Sequence, residues 1–248
     1  MSDSSELAGR DPDGQVGSAV AQAAAQPRPL GIVRTFVWLT AAFGAAALLS
    51  VLIAFIAVQA ETWIGTRVGT RIVSWTALVA AALLFFVIIE RACRRSGWRA
   101  IEYLGLIRPR GRYVLWSMLA FFLPPALSAI ALQFGPLGAE GPPPVTFIEA
   151  VSFVIEGTIF APVVEELVFR GFLFRGLAES RPGPIGAIVL TALLWSAIHT
   201  DSTWIGSANL VCAGLLLGWL RWRSASTIPT IAVHSLHNVA GALVRLIG

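Results

Sequence analysis

Glu165, Glu166 and Arg170 lie inside the apolar run Phe160-Ala-Pro-Val-Val-Glu-Glu-Leu-Val-Phe-Arg-Gly171. A charge at the centre of a membrane helix costs roughly 2.5–3.5 kcal/mol, so three together call for a reason. His199 and His234 recur in later apolar segments, and Asn238 follows one turn after His234. Acid, base and amide groups inside a membrane point to a functional site.

Helical spacing sorts these groups. Glu166 and Arg170 are four residues apart and share a face, so they can pair and offset each other's charge. Glu165 is rotated about 100° from Glu166 and has no helical ion partner. A lone carboxylate in a low-dielectric site is driven to hold its proton or to find a histidine, and one so tuned can take a proton from water. Trp195 lies four residues before His199 and can pack on its imidazole. His234 and Asn238, also four apart, form a pair of donors that could meet a developing oxyanion. His237 lies near the same face and reads as a packing residue.

The elements that position these groups follow from composition. Of 248 residues, 56% are hydrophobic and 13% are charged, against about 25% charged in soluble domains. Mean hydropathy is +0.75. These values predict an all-α, polytopic membrane helix bundle with about seven transmembrane helices. The candidate segments are Leu30–Ala60, Ile72–Glu90, Tyr113–Phe134, Thr146–Leu177, Ile185–Thr200, Trp204–Leu220 and Thr227–Ile247. The fourth is too long for a simple span, and Pro162 predicts a break after about Phe160. Glu149 and Glu156 precede that break on one face. They read as lining a polar interior or satisfying freed backbone groups, with substrate access as the other reading.

All 18 basic residues are arginine. Basic loops explain the pI without nucleic-acid binding. Residues 91–112 hold seven of the arginines, which places that loop, the N-terminus, Arg175, Arg181, Arg221 and Arg223 on the cytoplasmic side. The arginine-free stretches Gly135–Val145 and Asp201–Thr203 then fall outside; Arg67, Arg71 and Arg245 oppose the pattern. The expected organisation is a disordered cytoplasmic tail over 1–29, three transmembrane helices over 30–134 with the basic loop between the second and third, and a catalytic core over 146–245. The tail lacks the basic start and apolar core of a signal peptide. Cys93 and Cys212 fit no metal or disulfide framework.

Three stretches together resemble the CPBP intramembrane proteases, which include the type II CaaX prenyl endopeptidase and bacterial relatives tied to bacteriocin processing or self-immunity. Glu165-Glu166-Leu-Val-Phe-Arg170, with Ala161-Pro162 before it and Gly171 after, is similar to the first motif. Trp195-Ser-Ala-Ile-His199 is similar to the second, with tryptophan in place of the usual phenylalanine, a change expected to keep a stacking partner and leave the chemistry untouched. His234-Ser-Leu-His-Asn238 is similar to the third. The resemblance covers roughly Thr146 to Ala242.

The resemblance implies peptide-bond hydrolysis within the membrane by an activated water. Glu165 would be the general base, His199 would help hold the water, and His234 and Asn238 would stabilise the oxyanion, with Glu166 and Arg170 as structural support. A metal-free mechanism is preferred. The alternative is one divalent ion, zinc, held by Glu165, His199 and His234, although the HExxH signature is absent. The implied partners are the lipid bilayer of a bacterial inner membrane and a membrane-associated protein or peptide substrate. Two other functions fit the same residues: a non-catalytic membrane scaffold or immunity protein, and a proton-coupled transporter.

Overall fold

The computed structural model describes residues 27, 29–64, 67–110, 113, 126, 130, 147–200 and 202–247. Helices α1 (Ile32–Ile64) and α2 (Arg67–Arg95) pack along each other, and the short α3 (Ala100–Tyr103) follows the basic end of α2. A long helix, α4, then runs over 147–178. It is followed by α5 (Gly183–Ala197), α6 (Trp204–Ser224) and α7 (Ile228–Ile247). Six of the predicted segments correspond to helices. The third, Tyr113–Phe134, and the N-terminal tail lie essentially outside the described residues.

Among the described residues, three stretches are long and apolar enough to cross a membrane: Ile32–Ile56 of α1, Trp75–Arg95 of α2, and α6. Helix α5, with 15 residues, reaches about 22 Å at 1.5 Å per residue, short of a hydrocarbon core of about 30 Å. Large apolar side chains such as Val33, Leu48, Phe55, Leu83, Phe147 and Trp204 face outward, as a lipid-facing surface requires. The chain is an integral membrane protein.

The predicted break in the fourth segment takes a different form. Phe160 (φ −67°, ψ −52°) and Ala161 (φ −61°, ψ −50°) keep helical dihedrals, so the helix continues through Pro162. The register shifts instead. Two π turns, Glu156–Phe160 and Leu167–Leu173, bracket the α-helical segment Ala161–Glu166. The Ala161 N–H reaches back five residues to the Glu156 carbonyl. Pro162 has no N–H to give. The Gly157 carbonyl thereby loses its helical donor, and the Asn238 carboxamide donates to it at 2.7 Å. The second π turn repeats the pattern: the Phe174 N–H bonds the Phe169 carbonyl, and the freed Arg170 carbonyl accepts from Arg221 Nε at 2.8 Å. Inside a membrane every backbone polar group needs such a partner.

Small residues set the helix spacing. A Cβ at Gly214 would come 2.9 Å from Ala192 Cα, and one at Gly218 3.3 Å from Ile188 Cα, so α5 and α6 approach along a Gly-x-x-x-Gly face. A Cβ at Gly176 would overlap the Thr35 side chain, which ties α4 to α1. The loop after α3 docks on the α6–α7 turn. Thr227 Oγ1 donates to the Leu104 carbonyl at 2.6 Å and the Thr227 N–H to the Gly105 carbonyl at 2.8 Å. Gly105 has φ +71°, and a Cβ there would strike Arg221 Nη2. Tyr103 is fully buried beside Trp98 and Phe172, and that burial holds its phenol well above the usual range.

Candidate active site

The helical segment Ala161–Glu166 carries both glutamates. Glu166 and Arg170 are completely buried and paired, Oε1 to Nη1, at 2.8 Å. The expected i,i+4 pair is therefore formed. Arg170 does more than neutralise it: Nη2 donates to the Gly214 carbonyl of α6 at 3.3 Å, and its guanidinium lies 4.8 Å from the centroid of the Trp195 ring on α5. One side chain therefore links α4, α5 and α6.

Glu166 also reaches α7, since its Oε1 accepts from His234 Nδ1 at 3.0 Å. Sequence spacing offered no sign of this contact, because the partners are 68 positions apart. It fixes the imidazole. With Nδ1–H directed at a carboxylate, Nε2 is turned the other way, towards Glu165 Oε2 at 4.0 Å.

Glu165 is partly exposed, unlike its neighbour. Its Oε2 accepts from the Trp195 indole Nε1 at 2.6 Å. Phenylalanine has no N–H to give, so tryptophan here adds a donor on Glu165 beside the expected stacking. This contact of Trp195 with Glu165 goes beyond stacking, and the indole N–H was the sequence signal for it. The same indole stacks edge-on against His199, at 5.1 Å between centroids, and against His234, at 5.3 Å.

His199 sits just beyond the end of α5, where its Nδ1 bonds the Trp195 carbonyl at 2.8 Å. It joins the cluster through Trp195. Asn238 spends one amide N–H on Gly157 and keeps a second. His237 is half-buried, and among the described residues its Nδ1 has no hydrogen-bond partner.

A zinc site needs three protein ligands together. Among the described residues no three His, Cys, Asp or Glu side chains come close enough to hold a metal ion. Glu165 and His234 approach each other to 4.0 Å, and His199 reaches them through the Trp195 ring, with its Nδ1 on the Trp195 carbonyl.

Beside Glu165 opens a cleft of about 440 Å³, lined by Leu78, Glu156, Gly157, Phe160, Ala161 and Val164. This volume is in the range of small-molecule and peptide side-chain sites. Glu156 thus lines a largely apolar cleft and not the polar interior expected of it, while the backbone group freed near Pro162 is satisfied by Asn238.

No curated protein and no solved structure matches the chain. Residues 147–240 match the family model described as Type II CAAX prenyl endopeptidase Rce1-like. The match starts at the first residue of α4, extends into α7 and leaves α1 and α2 outside. All three motifs fall within it, and over this stretch the chain is similar to the type II CAAX prenyl endopeptidase Rce1-like proteins.

Proposed function

We propose that this protein is an intramembrane endopeptidase in which Glu165 activates a water for attack on a peptide bond of a membrane-associated substrate. One observation carries the reading: Glu165, unlike the sealed Glu166, is partly exposed at a cleft, oriented by the Trp195 N–H and faced by His234. The carboxylate takes a proton from water as the water oxygen bonds to the carbonyl carbon. It returns that proton to the leaving amine as the C–N bond breaks. His199, with Nδ1–H on a carbonyl, presents a lone pair at Nε2 suited to holding the water. His234, through Nε2, and Asn238, through its second N–H, stabilise the oxyanion. Glu166 and Arg170 hold His234 and the helix in place. The N-terminus lies on the cytoplasmic side and the water reaches the site from there, within a bacterial inner membrane.

The test is cleavage of fluorogenic, membrane-partitioning peptides by the purified protein and by Glu165→Gln, each with and without a zinc chelator. The variant is expected to lose about 10²–10⁴-fold in rate, and the wild type to survive chelation. Loss of wild-type cleavage on chelation would move Glu165 and the histidines into a metal site. Full biological activity in Glu165→Gln would favour the scaffold or immunity reading, and proton flux in proteoliposomes lost in that variant would favour transport.

A further inference from the structure

The cleft beside Glu165 has a structured wall. On α4, Gly157, Ala161 and Glu165 are spaced four apart and form one row. Glu156, Phe160 and Val164 form the neighbouring row, and all six line the cleft. The first row is a floor of two small residues ending at the proposed base. A Cβ placed on Gly157 would meet nothing within 4 Å, so the floor is open there. The second row is apolar except at its far end, where Glu156 stands partly exposed.

Glu156 is the second carboxylate of this trough and has no task inside the protein. Among the described residues no hydrogen bond or ion pair reaches its carboxylate, while its backbone carbonyl takes the Ala161 N–H. The freed carbonyl at Gly157, one residue away, is already bonded by Asn238, and the buried cation Arg170 is committed to Glu166. A charged side chain at membrane depth faces a partner or a water-filled cavity. Here it faces the cavity that leads to the base.

We propose that the trough from Glu156 to Glu165 seats the peptide substrate and that Glu156 is a subsite for an arginine or lysine side chain of that peptide. The proposal rests on the peptidase reading of Glu165. Nine residues of helix separate the two carboxylates by roughly 13 Å. An extended peptide advances about 3.3–3.6 Å per residue, so the preferred basic residue lies about four positions from the bond that is cut. The apolar wall accepts aliphatic or aromatic neighbours, and a substrate with an acidic residue at that position is repelled.

The test uses the full chain in detergent micelles and a series of Nα-acetylated fluorogenic peptides, which removes the amino terminus as a rival cation. A single arginine, glutamine or glutamate is scanned along one apolar sequence. Cleavage is read as kcat/KM for wild type, Glu156→Gln and Glu156→Arg; binding is read by anisotropy on the Glu165→Gln background, with and without Glu156→Gln. At one register the wild type is expected to prefer arginine over glutamine at least tenfold. Glu156→Gln should abolish the preference, and Glu156→Arg should transfer it to the glutamate peptide. Gly157→Leu, which meets open space, should weaken binding of every peptide while the folded yield holds. An arginine preference that is absent, or that survives Glu156→Gln, overturns the subsite. A Glu156-dependent preference in binding with no peptide ever cut overturns the peptidase reading and leaves the subsite standing. Cleavage indifferent to residue 156 does the reverse.

Discussion

At the scale of single residues, the site is a division of labour between two adjacent carboxylates. Glu166 is sealed and shared by Arg170 and His234, while Glu165 faces the cleft under the Trp195 N–H. Trp195→Phe keeps the ring and removes only the donor. It is expected to lower kcat roughly tenfold with KM and folded yield nearly unchanged, the size of one lost hydrogen bond to a charged group, as steady-state kinetics will show. An unchanged kcat would return Trp195 to a packing role. His234→Ala should keep the fold, because Glu166 retains Arg170, and lose about 10²–10³-fold in kcat; size-exclusion profiles beside kinetics check both halves. Much of this was legible in the sequence: helical spacing alone identified the Glu166–Arg170 pair and isolated Glu165. The contacts of Glu166 with His234 and of Trp195 with Glu165 were not, because they join different helices and no periodicity within one segment encodes them.

At the scale of elements, α4 is held by side chains that stand in for missing helix bonds. Asn238 and Arg221 each donate to a carbonyl that a π turn has freed. Asn238→Ala should therefore lower stability in detergent by about 1–3 kcal/mol, the cost of an unsatisfied buried acceptor. Asn238→Asp should be worse, since a carboxylate meets the carbonyl with no donor. Thermal denaturation of both variants reads this out, and a melting temperature unchanged in Asn238→Ala would leave Asn238 only a role in the reaction. Sequence reasoning saw part of this device. Pro162 announced a disturbance, and it was expected as a break. The helix instead shifts register, because Asn238, 81 positions away, supplies what the proline withholds. The second π turn has no proline at all, and its signal lies in Arg221, which reads in sequence only as a basic residue at a helix end.

At the scale of the whole molecule, Arg170 binds three helices into one body. Its removal leaves Glu166 a buried charge with one fewer partner, a change that costs about 3–5 kcal/mol when a buried pair is broken. Arg170→Ala should reduce the amount of folded protein in the membrane several-fold, measured by fluorescence size-exclusion of detergent extracts. Normal accumulation and a normal elution profile would show that the pair is dispensable for folding. Arg170→Lys should rescue only in part, since lysine cannot serve Glu166 and the Gly214 carbonyl with a planar fork. The helical class and the membrane setting were readable from composition. The way α4, α5 and α6 close on one another was not, because it depends on Gly214, Gly218 and Arg170 meeting across the bundle.

The four-residue separation of Glu166 and Arg170 also bears on how the chain is made. Their mutual bond lies within α4 and closes as soon as that helix forms, whereas the Gly214 carbonyl and His234 are translated 44 and 68 residues later. The nascent segment can therefore leave the translocon with its two most costly groups already joined, and the later helices need only recognise a pair that exists. Arg170 moved to α6, with the composition unchanged, would give a chain whose glutamate must wait in lipid for its partner. Such a protein would be expected to stall at insertion before the cluster around Glu165 could assemble.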